Sequence, residues 1–127
     1  MRAKLGIFVT LAAILLVFSV STFAHHGNAA YDTGTSLTVK GTVTDFRFIN
    51  PHCQIYFDAK NDKGEVEHWQ GELTAPNKLG RAGWTKHSLN PGDPITVTGF
   101  AGKNAAHSIW IRKLIGPDGQ AMPLSED

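Results

Sequence analysis

The chain contains a single cysteine, Cys53, and little that points to catalysis. One cysteine excludes an intramolecular disulfide, so the core must be held together by packing alone. The sequence has no glycine-rich phosphate loop, and Ser36, Ser88 and Ser108 do not lie in the strand-turn-helix context of a nucleophile elbow. We therefore predict that the protein is not an enzyme.

The longest apolar run lies at the N-terminus. Arg2 and Lys4 precede a largely apolar stretch over residues 5–20, and the small residues Thr22 and Ala24 follow it. This succession is typical of a bacterial secretory signal peptide, with cleavage after Ala24 and release into the periplasm or the medium. The run is also long enough to span a bilayer, so a retained membrane anchor is the alternative.

Removal of residues 1–24 leaves a chain of the size of one small domain. Residues 25–35 are small or polar and predict a flexible N-terminal arm; residues 36–120 carry the strand patterns, and residues 121–127 form a tail. The chain has no excess of charge of one sign, with 12 basic and 11 acidic residues. This balance argues against nucleic acid as a partner.

Alternating apolar residues predict five strands. In the first, Leu37, Val39 and Val43 alternate with polar residues, and Gly41 is predicted to form a bulge or a bend. The other four strands are predicted over residues 52–58, 68–73, 95–99 and 108–115. A short helix is predicted over residues 77–82, where Gly83 ends it and Trp84 follows as an apolar plug.

Three strands, a short helix and two more strands is the order of a small five-stranded OB-like β-barrel. The predicted fold class is therefore all-β with one short helix. A β-sandwich is the alternative, although about seven strands would be expected for it.

Five short motifs run in order along the predicted mature chain: His25-His26-Gly27, Ile49-Asn50-Pro51-His52, Glu67-His68-Trp69, Arg81-Ala82-Gly83-Trp84 and Pro91-Gly92-Asp93. Together they resemble the exported bacterial proteins of domain-of-unknown-function family 6152. The resemblance covers nearly all of the mature chain and implies no activity. Cys53 alternates with polar residues in the second strand pattern, so we interpret it as a core residue. It stands where an aliphatic residue is expected in such proteins and is therefore not interpreted as a family site.

Cleavage after Ala24 would free the α-amino group of His25 beside its own imidazole and that of His26. An amine and imidazoles are nitrogen ligands, which favour Cu(II) among the divalent first-row metals. We therefore predict a copper site formed by His25, His26 and His52, with Asp32 as another candidate ligand. The arrangement resembles the N-terminal histidine copper sites of exported copper carriers and copper oxygenases.

The second candidate site needs no metal. The polar side of the second and third strands is predicted to form a ligand face for a small ligand or a periplasmic protein, as in other OB-type barrels. Its residues are Gln54, Tyr56, Asp58, His68, Gln70 and Glu72. The alternative is an ordinary solvent-facing side of a sheet.

The remaining aromatic and histidine residues are placed by parity and by loop position. Trp69 and Trp84 are predicted to lie in the core, and Trp110, out of phase with its apolar neighbours, on a contact surface. His87 and His107 are assigned to surface loops.

Overall fold

A computed structural model describes residues 30–124, so the predicted signal peptide, His25 and His26 lie outside the described residues. Its elements are β1 (Tyr31–Arg47), β2 (Gln54–Lys60), β3 (Val66–Glu72), α1 (Pro76–Arg81), β4 (Pro94–Gly102) and β5 (Ser108–Ile115). The five predicted strands and the short helix are thus confirmed. In this part of the chain no helix is long and apolar enough to cross a bilayer.

The strands close into a barrel in the order β1-β2-β3-β5-β4, with β1 pairing to both β2 and β4. All pairs are antiparallel except β3 with β5, which run parallel. This order, with the helix between β3 and β4, is that of an OB-like barrel. The predicted fold class is confirmed, and a two-sheet sandwich is excluded.

Of the two alternatives predicted at Gly41, a bulge or a bend, the bulge is wrong. The β1–β4 register runs without a break through Gly41 and Ile95, and the irregularity lies further along, between Val43 and Asp45 opposite β2. A Cβ atom on residue 41 would lie 2.5 Å from the carbonyl oxygen of Asp58. The glycine is therefore needed for the close approach of β1 to β2.

The predicted limits of the barrel are too narrow at both ends. The predicted flexible arm extends to residue 35, but β1 already begins at Tyr31, which pairs with Gly102. A register shift between Asp32 and Ser36 hides the strand from an alternation pattern. At the other end, Met122 packs against the core and the Pro123 carbonyl accepts a 2.7 Å hydrogen bond from Trp84 Nε1, so the predicted tail begins within the fold.

The core fills the barrel and is closed at one end by α1. Leu79 of the helix and Trp84 both belong to the buried cluster, and the Trp84 amide donates to the Leu79 carbonyl across Gly83, whose φ is +95°. The predicted plug is therefore confirmed. Cys53 is fully buried, and burial raises the pKa of its thiol to about 11, so it is an apolar core residue as expected.

Candidate functional site

Four side chains from distant parts of the chain meet on the outside of the barrel, and we call them the His52 cluster: Tyr31, His52, Glu72 and Trp110. Tyr31 begins β1, Glu72 ends β3, and Trp110 pairs with Glu72 in the parallel β3–β5 ladder. His52 stands two residues before β2. Only the closed barrel brings these four positions together.

Backbone hydrogen bonds hold His52 near the end of β3. The Cys53 amide donates to the Thr74 carbonyl at 3.0 Å, and the Leu73 amide donates to the Cys53 carbonyl at 2.9 Å. These bonds continue the β2–β3 ladder past the ends of both strands. His52, which directly precedes Cys53, is thus held close to the end of β3.

Glu72 is the centre of the cluster because each of its carboxylate oxygens has a different partner. Oε2 accepts a 2.6 Å hydrogen bond from the Tyr31 hydroxyl, and Oε1 pairs with Nδ1 of His52. Burial, together with the neighbouring Glu72, raises the pKa of Tyr31, so its hydroxyl remains a donor at neutral pH. The Glu72 side chain is 20% exposed, which shields these bonds in part from water.

Trp110 forms the aromatic base of the cluster. Its ring centroid lies 5.8 Å from that of Tyr31 and 5.4 Å from that of His52, whose ring meets it edge-on at 78°. Trp110 is only 6% exposed. The prediction that it lies on an open contact surface is therefore wrong, because the Tyr31 and His52 rings lie against it.

The six residues predicted to form a ligand face lie next to one another in a strip on β2 and β3, which we call the polar strip. The β2–β3 register pairs its residues across the two strands: Gln54 with Glu72, Tyr56 with Gln70 and Asp58 with His68. All six side chains alternate with core residues and therefore lie on the outside of the barrel. Glu72 belongs both to this strip and to the His52 cluster, so the strip and the cluster are contiguous.

Contacts within the strip keep its side chains in place. The Tyr56 hydroxyl donates to Gln54 Oε1 at 2.8 Å, and the Arg47 guanidinium lies 4.7 Å from the centre of the Tyr56 ring. His68 Nδ1 lies 2.6 Å from Asp58 Oδ1 at the far end, where the His68 side chain is 83% exposed. The strip thus presents polar groups around one aromatic ring.

The other candidate residues are dispersed. Asp32 is exposed and accepts a hydrogen bond from the Gly34 amide, while His87 lies on the surface as predicted. His107 is exposed as predicted, with its ring 5.1 Å from that of Trp69 and a φ of +56°. Residues 30–124 contain no group of three or more histidine, cysteine or acidic side chains able to hold a metal by themselves.

Sequence reasoning misses Tyr31 and Trp110 as parts of the site. Parity places Trp110 on an open surface, and composition places Tyr31 in the arm. A useful signal is present at Tyr31, since it is the one aromatic side chain among the small and polar residues 25–35. A large ring in such a segment indicates a place where the chain is anchored.

Comparison with known proteins identifies a family but no activity. A profile described as "Family of unknown function (DUF6152)" matches residues 12–109. No curated protein matches the chain.

Two solved structures resemble the chain at a distance. A ZRD-deleted mutant of TiaS in complex with agmatine is 21% identical, with a TM-score of 0.43, over 65% of this chain and 21% of that one. A small single-stranded DNA-binding protein from Streptomyces coelicolor is 15% identical, with a TM-score of 0.42, over 63% of this chain and 88% of that one. The chain thus spans about a fifth of the TiaS structure, and similarities this distant do not assign a ligand.

Proposed function

The chain belongs to this family of unknown function, and we propose that it is an exported, non-enzymatic binding module that holds copper through His25, His26 and His52. One observation supports the proposal above all others. The first strand residue, Tyr31, donates a hydrogen bond to the same carboxylate that binds His52. The N-terminal end of β1 is therefore anchored beside His52.

The anchor limits how far the N-terminal histidines can lie from His52. His26 precedes Tyr31 by five residues, and an extended chain spans at most about 3.4 Å per residue, or roughly 17 Å in total. The proposal requires only that this length be enough to bring His25 and His26 to His52. The terminal amine and the imidazoles would then form a nitrogen-rich ligand set, which favours Cu(II).

The experiment is a copper titration of the exported protein. Mass spectrometry first establishes whether the mature chain begins at His25, and Cu(II) is then titrated into the wild type, His25→Ala, His52→Ala and the control His87→Ala. Loss of a side chain that hydrogen-bonds a metal ligand typically lowers metal affinity 10- to 100-fold. Loss of a ligand itself is expected to lower the copper affinity at least as much. The control is expected to bind like the wild type.

Two results would reject the copper proposal. One is a mature N-terminus other than His25. The other is a wild-type affinity no tighter than that of a synthetic peptide with the sequence of residues 25–32. A flexible terminus with two histidines binds some copper without any built site, so the peptide is the necessary reference.

The polar strip supports a second function, a metal-free module that binds a small polar ligand or a periplasmic protein. Its outward side chains are contiguous, and Tyr56 offers an aromatic ring beneath the Arg47 guanidinium. The outer face of strands two and three is where OB-type barrels commonly bind ligands. The proposal concerns the strip alone and does not need the N-terminal histidines.

For this second function we expect Tyr56→Ala and His68→Ala to abolish capture of a periplasmic partner in a pull-down performed with a metal chelator. Lys113→Ala, an exposed position on β5, is the matched control and should capture normally. The reason is that both test substitutions remove contact area from the strip, whereas Lys113 lies elsewhere on the barrel. Equal capture by all four proteins would remove the proposal.

A further inference from the structure

The hydrogen bonds of Glu72 determine which nitrogen of His52 carries a proton. An ionised carboxylate only accepts hydrogen bonds. Oε2 already accepts from the Tyr31 hydroxyl, and Oε1 faces Nδ1 of His52, so Nδ1 must be the protonated nitrogen that donates. In the neutral ring the lone pair then lies on Nε2.

Nε2 is also the nitrogen that remains available. Within residues 30–124 it has no hydrogen-bond partner, and the His52 side chain is 28% exposed. The ring cannot turn freely, because Glu72 holds one edge and Trp110 meets it edge-on. A lone pair is thus held ready in a fixed direction at the surface of the barrel.

We propose that His52 binds copper through Nε2, and that Glu72 is the positioning residue that selects this nitrogen and strengthens it as a ligand. The inference rests on the proposed copper function and deepens it. Histidine ligands commonly donate their other ring N–H to a carboxylate, which fixes the tautomer and raises the basicity of the ligating nitrogen. Tyr31 helps to hold Glu72 in place, since its hydroxyl donates a hydrogen bond to the second carboxylate oxygen.

The chain supplies its own matched control. His68 of β3 and Asp58 of β2 form a second histidine–carboxylate pair, with Nδ1 again facing the carboxylate. The His68 ring, however, is 83% exposed, and the pair stands two cross-strand positions away from Gln54 and Glu72. If any histidine–carboxylate pair could bind copper equally well, loss of Asp58 would lower the copper affinity as much as loss of Glu72.

The test compares copper binding by the wild type, Glu72→Gln and Asp58→Asn. Glutamine either turns its NH₂ group towards Nδ1, which moves the ring proton to Nε2, or offers a neutral oxygen in place of a charged one. Both outcomes weaken the ligand, so Glu72→Gln is expected to bind copper 10- to 100-fold more weakly, while Asp58→Asn is unchanged. Circular dichroism shows whether each variant is folded.

A second measurement needs no variant. Nitrogen-15 NMR of the metal-free wild type should show the neutral form of His52 as the Nδ1–H tautomer, and Glu72→Gln should gain the Nε2–H form. A residue that only stabilised the fold would not change the tautomer. An Nε2–H tautomer in the wild type would overturn the inference, as would an unchanged copper affinity in folded Glu72→Gln.

The two proposals fail in different ways. If His52→Ala binds copper like the wild type, His52 is not a ligand and this inference falls, while a site made by His25 and His26 alone stands. If the wild type binds no more tightly than the peptide of residues 25–32, the copper function itself falls.

Discussion

Replacement of Gly99 by alanine is expected to destabilise the barrel by about 3 kcal/mol or more, at the upper end of what overpacking costs. A Cβ atom there would overlap the Trp110 carbonyl oxygen and lie 2.8 Å from the carbonyl carbon and 3.1 Å from the Ile111 Cα. All three are backbone atoms of β5. They cannot move aside unless β4 and β5 separate where Gly99 pairs with Ile111.

Urea unfolding measures the effect, and Gly80→Ala is the control. Gly80 lies in α1, where an added methyl group would have no neighbour within 4 Å, and alanine in a helix is favoured over glycine by roughly 0.5–1 kcal/mol. Gly99→Ala should therefore lower the urea midpoint and Gly80→Ala should raise it. The dependence of the unfolding free energy on urea concentration should stay similar in both. If Gly99→Ala were as stable as the wild type, β5 could move away from β4 at this position without cost, and the prediction would be wrong.

Truncation of Trp110 to alanine is expected to cost about 3–5 kcal/mol, the usual range for a buried aromatic residue. It also removes the ring against which Tyr31 and His52 pack. Both side chains then gain freedom around Glu72, so copper binding at the cluster should weaken as well. Urea unfolding gives the first effect, and the NMR signals of His52 report the second.

Phe100 provides the comparison for Trp110. It pairs with Trp110 across the β4–β5 ladder but is only partly buried, whereas Trp110 is buried. Phe100→Ala should therefore cost less stability than Trp110→Ala and leave the His52 signals in place. If the two substitutions have the same effect on His52, Trp110 has no special part in holding the cluster.

Much of the barrel could be predicted because its signals are local. Alternation along β2 and β3 identified both faces, including the six residues of the polar strip, and the glycine after α1 together with Trp84 identified the plug. Cys53 was placed correctly by the same alternation. Each of these inferences depends on residues that are near neighbours in the chain.

Other features depended on partners far away in sequence. The residues around Gly41 in its own strand suggest a bulge, but the glycine is needed because a side chain there would collide with the Asp58 carbonyl of β2. Trp110 looks exposed by parity, but Tyr31, at the other end of the chain, lies against it. Tyr31 lies among small and polar residues that suggest an arm. The register shift between Asp32 and Ser36 breaks the alternation that would have indicated a strand there.

The sequence by itself determined the number and order of the strands, the place of the short helix and the polar side of β2 and β3, because period-two alternation and turn residues act over a few positions. Only the tertiary structure decided that Tyr31, His52, Glu72 and Trp110 meet. Their contact requires the barrel to close, with β3 beside β5 and β1 beside β4, and that closure is a property of the whole chain.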